Sequence, residues 1–168
     1  MKKISVLFAA FSCTMAALPL CAQLKKPGLF IGGNFLYNSP SGSFGDNYKS
    51  GPGVEINGGV GLGKIFIVAS YGSSRFLSKP DVKDIIIKPL KIGVKQFVLA
   101  KNIFIAADAG SVKVRNKTTG IEKSEFIGDI GGGIRLAGLE AGIYYNSWKE
   151  NNNSFGFMQY KIGYSILL

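Results

Sequence analysis

The side chains that most often do chemistry are sparse in this chain. It contains no histidine, and its only two cysteines, Cys13 and Cys21, lie within the first 22 residues. Imidazole general bases and Cys/His zinc centres therefore lack their functional groups, and the rest of the chain has no thiol for a disulfide. Carboxylates remain. Asp108, Asp129 and Glu140 could serve as acid and base, but each shares its face of an alternating segment with Lys or Arg and reads better as a charge neutralised by a partner. Gly131-Gly132-Gly133 is not a phosphate loop, because no Gly-Lys-Ser/Thr follows it and it sits inside an alternating segment. The expectation is a protein that is not an enzyme and that takes no cofactor and no metal.

The elements that would position these charges are strands. Gly accounts for 23 of 168 residues, aromatics for 12% and charged residues for only 18%, a balance that disfavours disorder and coiled coil. Lys2 and Lys3 precede a predominantly apolar run from Ile4 to Leu20, and Leu20-Cys21-Ala22 offers a small residue at a cleavage point. Residues 1–22 are read as a cleaved signal peptide and 23–168 as one domain. Pro19 interrupts the run and Lys25 and Lys26 follow it, which argues against an uncleaved membrane helix. Lipid attachment at Cys21 is disfavoured by the bulky Leu20 before it.

From Leu29 onward apolar residues recur at every second position, the period of a strand with different environments on its two faces. The runs begin at Leu29, Val54, Ile65, Leu90, Ile103, Phe126, Leu139 and Met158, which predicts eight strands and no helix. The opposite parity carries Asn34, Glu55, Asn57, Ser70, Lys91, Lys95, Asp108, Asp129, Arg135, Glu140, Asn146, Gln159 and Lys161. A soluble barrel would turn the apolar parity inward, as a lipocalin-like binder of an apolar ligand does. A membrane barrel would turn it to lipid. Alternation alone leaves both readings open.

Loop lengths favour the membrane. The connections Asn38–Gly53, Gly72–Asp84, Arg115–Ser124 and Ser147–Asn153 are long and polar, whereas Gly63-Lys64, the stretch around Lys101-Asn102, and Ala137-Gly138 are tight turns. Long loops at one end and short turns at the other is the asymmetry of an outer-membrane barrel. Tyr37, Tyr71, Tyr145 and Tyr160 fall on the apolar parity toward the long-loop end, where an interfacial girdle is expected. The fold class is thus all-β, an eight-stranded antiparallel up-and-down transmembrane β-barrel.

The leader, the eight alternating strands and the last strand together resemble the small outer-membrane β-barrel family that includes the OmpX and OmpA transmembrane domains. In the ending Lys161-Ile162-Gly163-Tyr164-Ser165-Ile166-Leu167-Leu168, residues Lys161, Gly163, Ile166 and Leu168 are similar to the C-terminal signal read by the barrel assembly machinery; Leu168 departs from the usual Phe. The resemblance implies residence in the outer membrane of a Gram-negative bacterium. Enzymes of this architecture resemble one another in using a His general base, which is missing here.

The interior parity carries four acids, Glu55, Asp108, Asp129 and Glu140, and four bases, Lys91, Lys95, Arg135 and Lys161, a balance that predicts a charge-paired lumen plugged by its own side chains. Arg135 is expected to neutralise a carboxylate such as Asp129 or Glu140. The net basic excess then belongs to loops and turns and faces anionic lipid. Arg75, Lys79 and Lys83 are the expected contacts to lipopolysaccharide, and no nucleic-acid motif accompanies them. No residue names an extracellular partner.

Overall fold

Side chains that alternate between apolar and polar over a dozen residues can satisfy their backbone groups in a membrane only by pairing with neighbouring strands until the sheet closes. The computed structural model of the chain describes residues 27–79, 84–98, 102–116, 122–150 and 153–168. The expected leader with its cleavage point after Ala22, Cys13, Cys21 and residues 99–101, where part of a tight turn was expected, lie outside the described residues. The wall is built from β1 (Pro27–Ser41), β3 (Gly51–Leu62), β4 (Ile65–Ser78), β5 (Ile85–Phe97), β6 (Ile103–Asn116), β7 (Glu122–Leu136), β8 (Leu139–Glu150) and β9 (Asn153–Leu167). Between β1 and β3 lie a short helix, α1 (Ser43–Asn47), and a two-residue strand, β2 (Tyr48–Lys49), which pairs with the end of β4. Each wall strand pairs antiparallel with the next, and β9 returns to pair with β1 from Phe30↔Leu167 to Ser41↔Gly156, so the barrel is closed.

Closure leaves the question of which parity is wet. Phe35, Ile56, Ile92, Ile130, Ile143 and Ile162 point outward and are exposed, while Glu55, Lys91, Asp129, Glu140 and Lys161 point inward and are buried. This inside-out distribution is that of a transmembrane barrel. It overturns the soluble lipocalin-like alternative, which needs the same apolar side chains inside. Two tight turns occur where Gly supplies the backbone freedom. Gly63 has φ 67°, and Ala137-Gly138, at φ 49° and 91°, has the two positive values of a type I′ turn that matches strand twist.

Two expectations are corrected. A helix exists: α1 forms as the chain leaves Gly42 at φ 57°, and it carries Phe44 into the barrel mouth. The connections at that end are also far shorter than the sequence suggests. Strands of 12 to 15 residues run on through most of Gly72–Asp84 and into the other three. They exceed the roughly 9–11 residues that a tilted strand needs to cross a bilayer, so the barrel projects beyond it by roughly 10 Å. The reason is a reversal of faces. Above the tyrosines the outward positions become Ser73, Arg75, Lys88, Lys113, Ser124 and Lys149, and the inward ones become Phe76, Ile85, Ile87, Val112, Ile127, Trp148 and Phe157. Backbone alternation continues, but most of the apolar residues change sides, Leu77 and Ile86 remaining outward.

Candidate functional site

The interior is stacked in three tiers, each set by the residues that alternate inward at that height. The tier nearest the tight turns packs Phe30, Phe66, Phe97, Phe104 and Tyr144 into an aromatic cluster. Space for two of these rings is left by glycine on the neighbouring strand: a Cβ on Gly131 would lie 2.5 Å from the Tyr144 ring, and one on Gly133 would lie 2.7 Å from Phe104. Lys95 threads this cluster, with Nζ 4.1 Å from the Phe104 ring centre and 4.5 Å from that of Phe30, and it bonds Glu140 Oε2 at 2.6 Å. The second Glu140 oxygen accepts from Ser165 Oγ at 2.7 Å. Arg135 donates to Ser165 Oγ and to the Ser165 carbonyl at 3.0 and 3.1 Å, and its Nε stands 3.5 Å from Glu140. Arg135 thus faces Glu140 and not Asp129, and it holds Glu140 largely through a serine.

The middle tier is ionic. Lys161 Nζ bonds both Glu55 oxygens, at 2.7 and 2.9 Å, and rests 4.1 Å from the Tyr144 ring centre. Asn34 Nδ2 donates to Glu55 Oε1 at 3.1 Å. Lys91 bonds Asp129, reaches Asn146 Oδ1 at 3.5 Å and stands 3.8 Å from Glu55 Oε2. Asp108 lies directly across the β6–β7 ladder from Asp129 and makes no ion pair among the described residues. Beside these groups is a cavity of about 30 Å³, lined by Glu55, Asn57, Ser70, Asp108, Tyr144 and Lys161 among others, with room for about two waters. Asn57 Oδ1 and Ser70 Oγ, which border it, have no protein partner.

The upper tier was not expected from the sequence. Phe44 of α1 descends among Tyr48, Phe76 and Trp148, each with ring centres 4.9 Å from its own, over a core of Ile85, Ile87, Val112, Ile127 and Phe157. Asn38 and Gln159, both buried, bond each other at 2.8 Å just beneath it.

No protein-family model matches the chain, and no curated protein sequence matches it. Solved structures do. Neisserial surface protein A superposes with a TM-score of 0.60 at 12% identity, over 83% of this chain and 96% of that one. Ail, the attachment invasion locus protein of Yersinia pestis, matches in its crystal structure at TM-score 0.52 and 12% identity, over 85% of this chain and 100% of that one. In a phospholipid bilayer nanodisc the same protein matches at 0.54 and 14% identity, over 84% and 99%. The fold is that of the small outer-membrane β-barrels. At such identities the likeness extends to the fold alone, so what the surface of this chain does has to be read from its own residues.

Outside the barrel, the three bases singled out from the sequence part company. Arg75 is committed to Asp84, with Nη2 2.5 Å and Nε 3.0 Å from Oδ2. Lys79 Nζ donates to the Gly45 carbonyl at 2.7 Å, tying the β4 end to α1. Lys83 lies outside the described residues. Asp84 also accepts from the backbone N–H and the hydroxyl of Ser78, at 2.9 and 3.1 Å, and these bonds, the backbone one foremost, together with Arg75 hold its carboxyl down to about 2. In the final strand, Lys161 and Gly163 face inward and Ile166 faces outward; the Leu168 N–H and carbonyl pair with those of Leu29 at 2.8 and 2.9 Å.

Proposed function

We propose that this protein is an integral outer-membrane barrel with a closed lumen, whose work is done at its outer rim and not through a channel or a catalytic centre. The observation that carries the reading is the continuity of the filling: aromatic, ionic and apolar tiers occupy the barrel from end to end, and α1 caps the last of them. An eight-stranded barrel has an interior only just wide enough for side chains, so the filling leaves water-sized space and no solute path. Its partners are outer-membrane lipid and lipopolysaccharide around the wall and the barrel assembly machinery during insertion, which would read Lys161, Gly163, Ile166 and Leu168. Surface adhesion or a purely structural role then falls to the rim.

Planar-bilayer recording tests the closed lumen. Full-length protein, shown by detergent extraction and heat-modifiable migration to be an inserted barrel, is expected to give no regular conductance steps. Reproducible single-channel steps from the same preparation would reject the reading and make the protein a pore.

A further inference from the structure

Lys88 on β5 and Lys113 on β6 are directly opposite in the ladder, and both point outward. Opposed residues have Cβ atoms roughly 5 Å apart, and like charges at that spacing destabilise the pair. Among the described residues, other exposed bases, such as Lys49 and Lys149, also lack a carboxylate, but neither is set opposite a second base in a ladder. Lys91, Lys95 and Lys161 each meet a carboxylate inside, and Arg75 meets Asp84 outside. Lys88 and Lys113 have no such partner among the described residues, and the residue across from each on the other neighbouring strand is a serine. Ser124 is opposite Lys113, and Ser73 stands across from Lys88 where the β4–β5 ladder is interrupted next to Pro89.

Their height explains what could complete the pair. Each lies two residues beyond Leu90 and Ser111, which is about 5 Å along the axis of a barrel whose strands tilt 35–45°. Leu90 pairs with Tyr71 of the tyrosine girdle, so the two ammonium groups stand just outside the hydrocarbon edge, where lipid phosphates lie. Their aliphatic stems can follow the wall while the charges reach outward. We propose that the Ser73, Lys88, Lys113 and Ser124 cluster is a docking site for the phosphate of an outer-leaflet lipid headgroup, which bridges two lysines that otherwise repel. This rests on the membrane reading above, and it moves the basic lipid contact from Arg75 and Lys79, already engaged, to the wall of β5 and β6.

The test uses the full chain in vesicles of phosphatidylcholine, with or without 20 mol% phosphatidic acid as the phosphate-bearing probe, and reads the heat-modification midpoint and lipid retained on extraction. Wild type is expected to be stabilised by phosphatidic acid. In Lys88→Gln/Lys113→Gln the apparent affinity for that lipid should fall by about 10- to 30-fold, from roughly 1 kcal/mol per base near an anionic surface. Stability in pure phosphatidylcholine should not fall, because a repulsion has been removed. Lys88→Arg/Lys113→Arg should restore the effect, and Lys149→Gln, an outward base on β8, should leave it intact. Equal stabilisation of wild type and the double Gln variant, or equal loss with Lys149→Gln, overturns the site. Stabilisation of wild type by free inorganic phosphate in phosphatidylcholine alone also overturns it, as an anion site not built for lipid. Protein that fails to float with vesicles or to show heat modification would fail the membrane reading instead, a separate outcome.

Discussion

Lys161→Met tests whether the ionic tier is dry. Lys161 places two charge-assisted hydrogen bonds on Glu55, at 2.7 and 2.9 Å, and both side chains are buried. Removing one member of a buried pair costs about 3–5 kcal/mol when the survivor is left without a partner. Glu55 is not left wholly alone, since Asn34 still donates at 3.1 Å and Lys91 stands at 3.8 Å. The ammonium also loses its position over Tyr144, a contact worth about 0.5–2 kcal/mol. The net expectation is a loss of about 2–4 kcal/mol for Lys161→Met, and a similar loss for Glu55→Gln, which strands the lysine. The double variant should recover much of this, giving a coupling above about 1.5 kcal/mol. Equilibrium urea unfolding in lipid vesicles measures all four corners of the cycle, and an equilibrium assay separates the pair from any part Lys161 plays in assembly. Additive single losses, with coupling under about 0.5 kcal/mol, would mean that water screens the pair and that the lumen is open.

On the lipid face, Ile143→Arg should cost about 2–4 kcal/mol of membrane folding free energy, and Leu139→Arg, beside the tight turn, only about 0–1; equal costs in vesicle unfolding would contradict the assigned depth. Phe44→Ala should leave heat modification in place but make the Gly42–Ser50 segment accessible to protease, because the ring is the anchor of α1 among Tyr48, Phe76 and Trp148. Asp84 predicts an acid response. Its folded carboxyl, held down to about 2, lies below the unfolded value near 3.8, so the clamp on Ser78 is fully present above about pH 4 and is lost as pH falls through about 2. Protection of the Ser78 amide from hydrogen exchange should follow that course, Asp84→Asn should remove its dependence on acid, and Asp84→Ala should remove the protection itself.

Much of the wall was legible because alternation has a period of two whatever the partner strand. Tyr71, Ile92 and Ile143 declared their face, and so did Lys91 and Glu140. The upper tier was hidden by the same logic. A single apolar parity ends at Tyr71 and Leu90, and the next apolar residues, Phe76 and Ile87, fall on the other one, so that stretch looks like loop. Pairing was beyond the sequence for a different reason: which carboxylate Arg135 meets depends on barrel register and on side chains leaning across strands. Ser165, which sits between Arg135 and Glu140, carries no signal that distinguishes it from any other serine. The Lys88/Lys113 opposition could be found only once the β5–β6 register was known.

The reversal of faces at the tyrosines has a consequence for how the protein answers to bilayer thickness. An ordinary apolar wall can be covered further by a thicker membrane at little cost, because more of the same surface is available. Here the next outward residues are Ser73, Arg75, Lys88 and Lys113, so a thicker leaflet would have to dehydrate charges. A thinner one would leave Phe35, Ile56 and Ile92 in water. Hydrophobic mismatch is thus penalised in both directions, most steeply along β4, β5 and β6, where the charges follow directly on the apolar wall. The barrel is fixed in depth as well as in orientation, and lipids beside it are expected to adjust their thickness to the protein rather than the reverse.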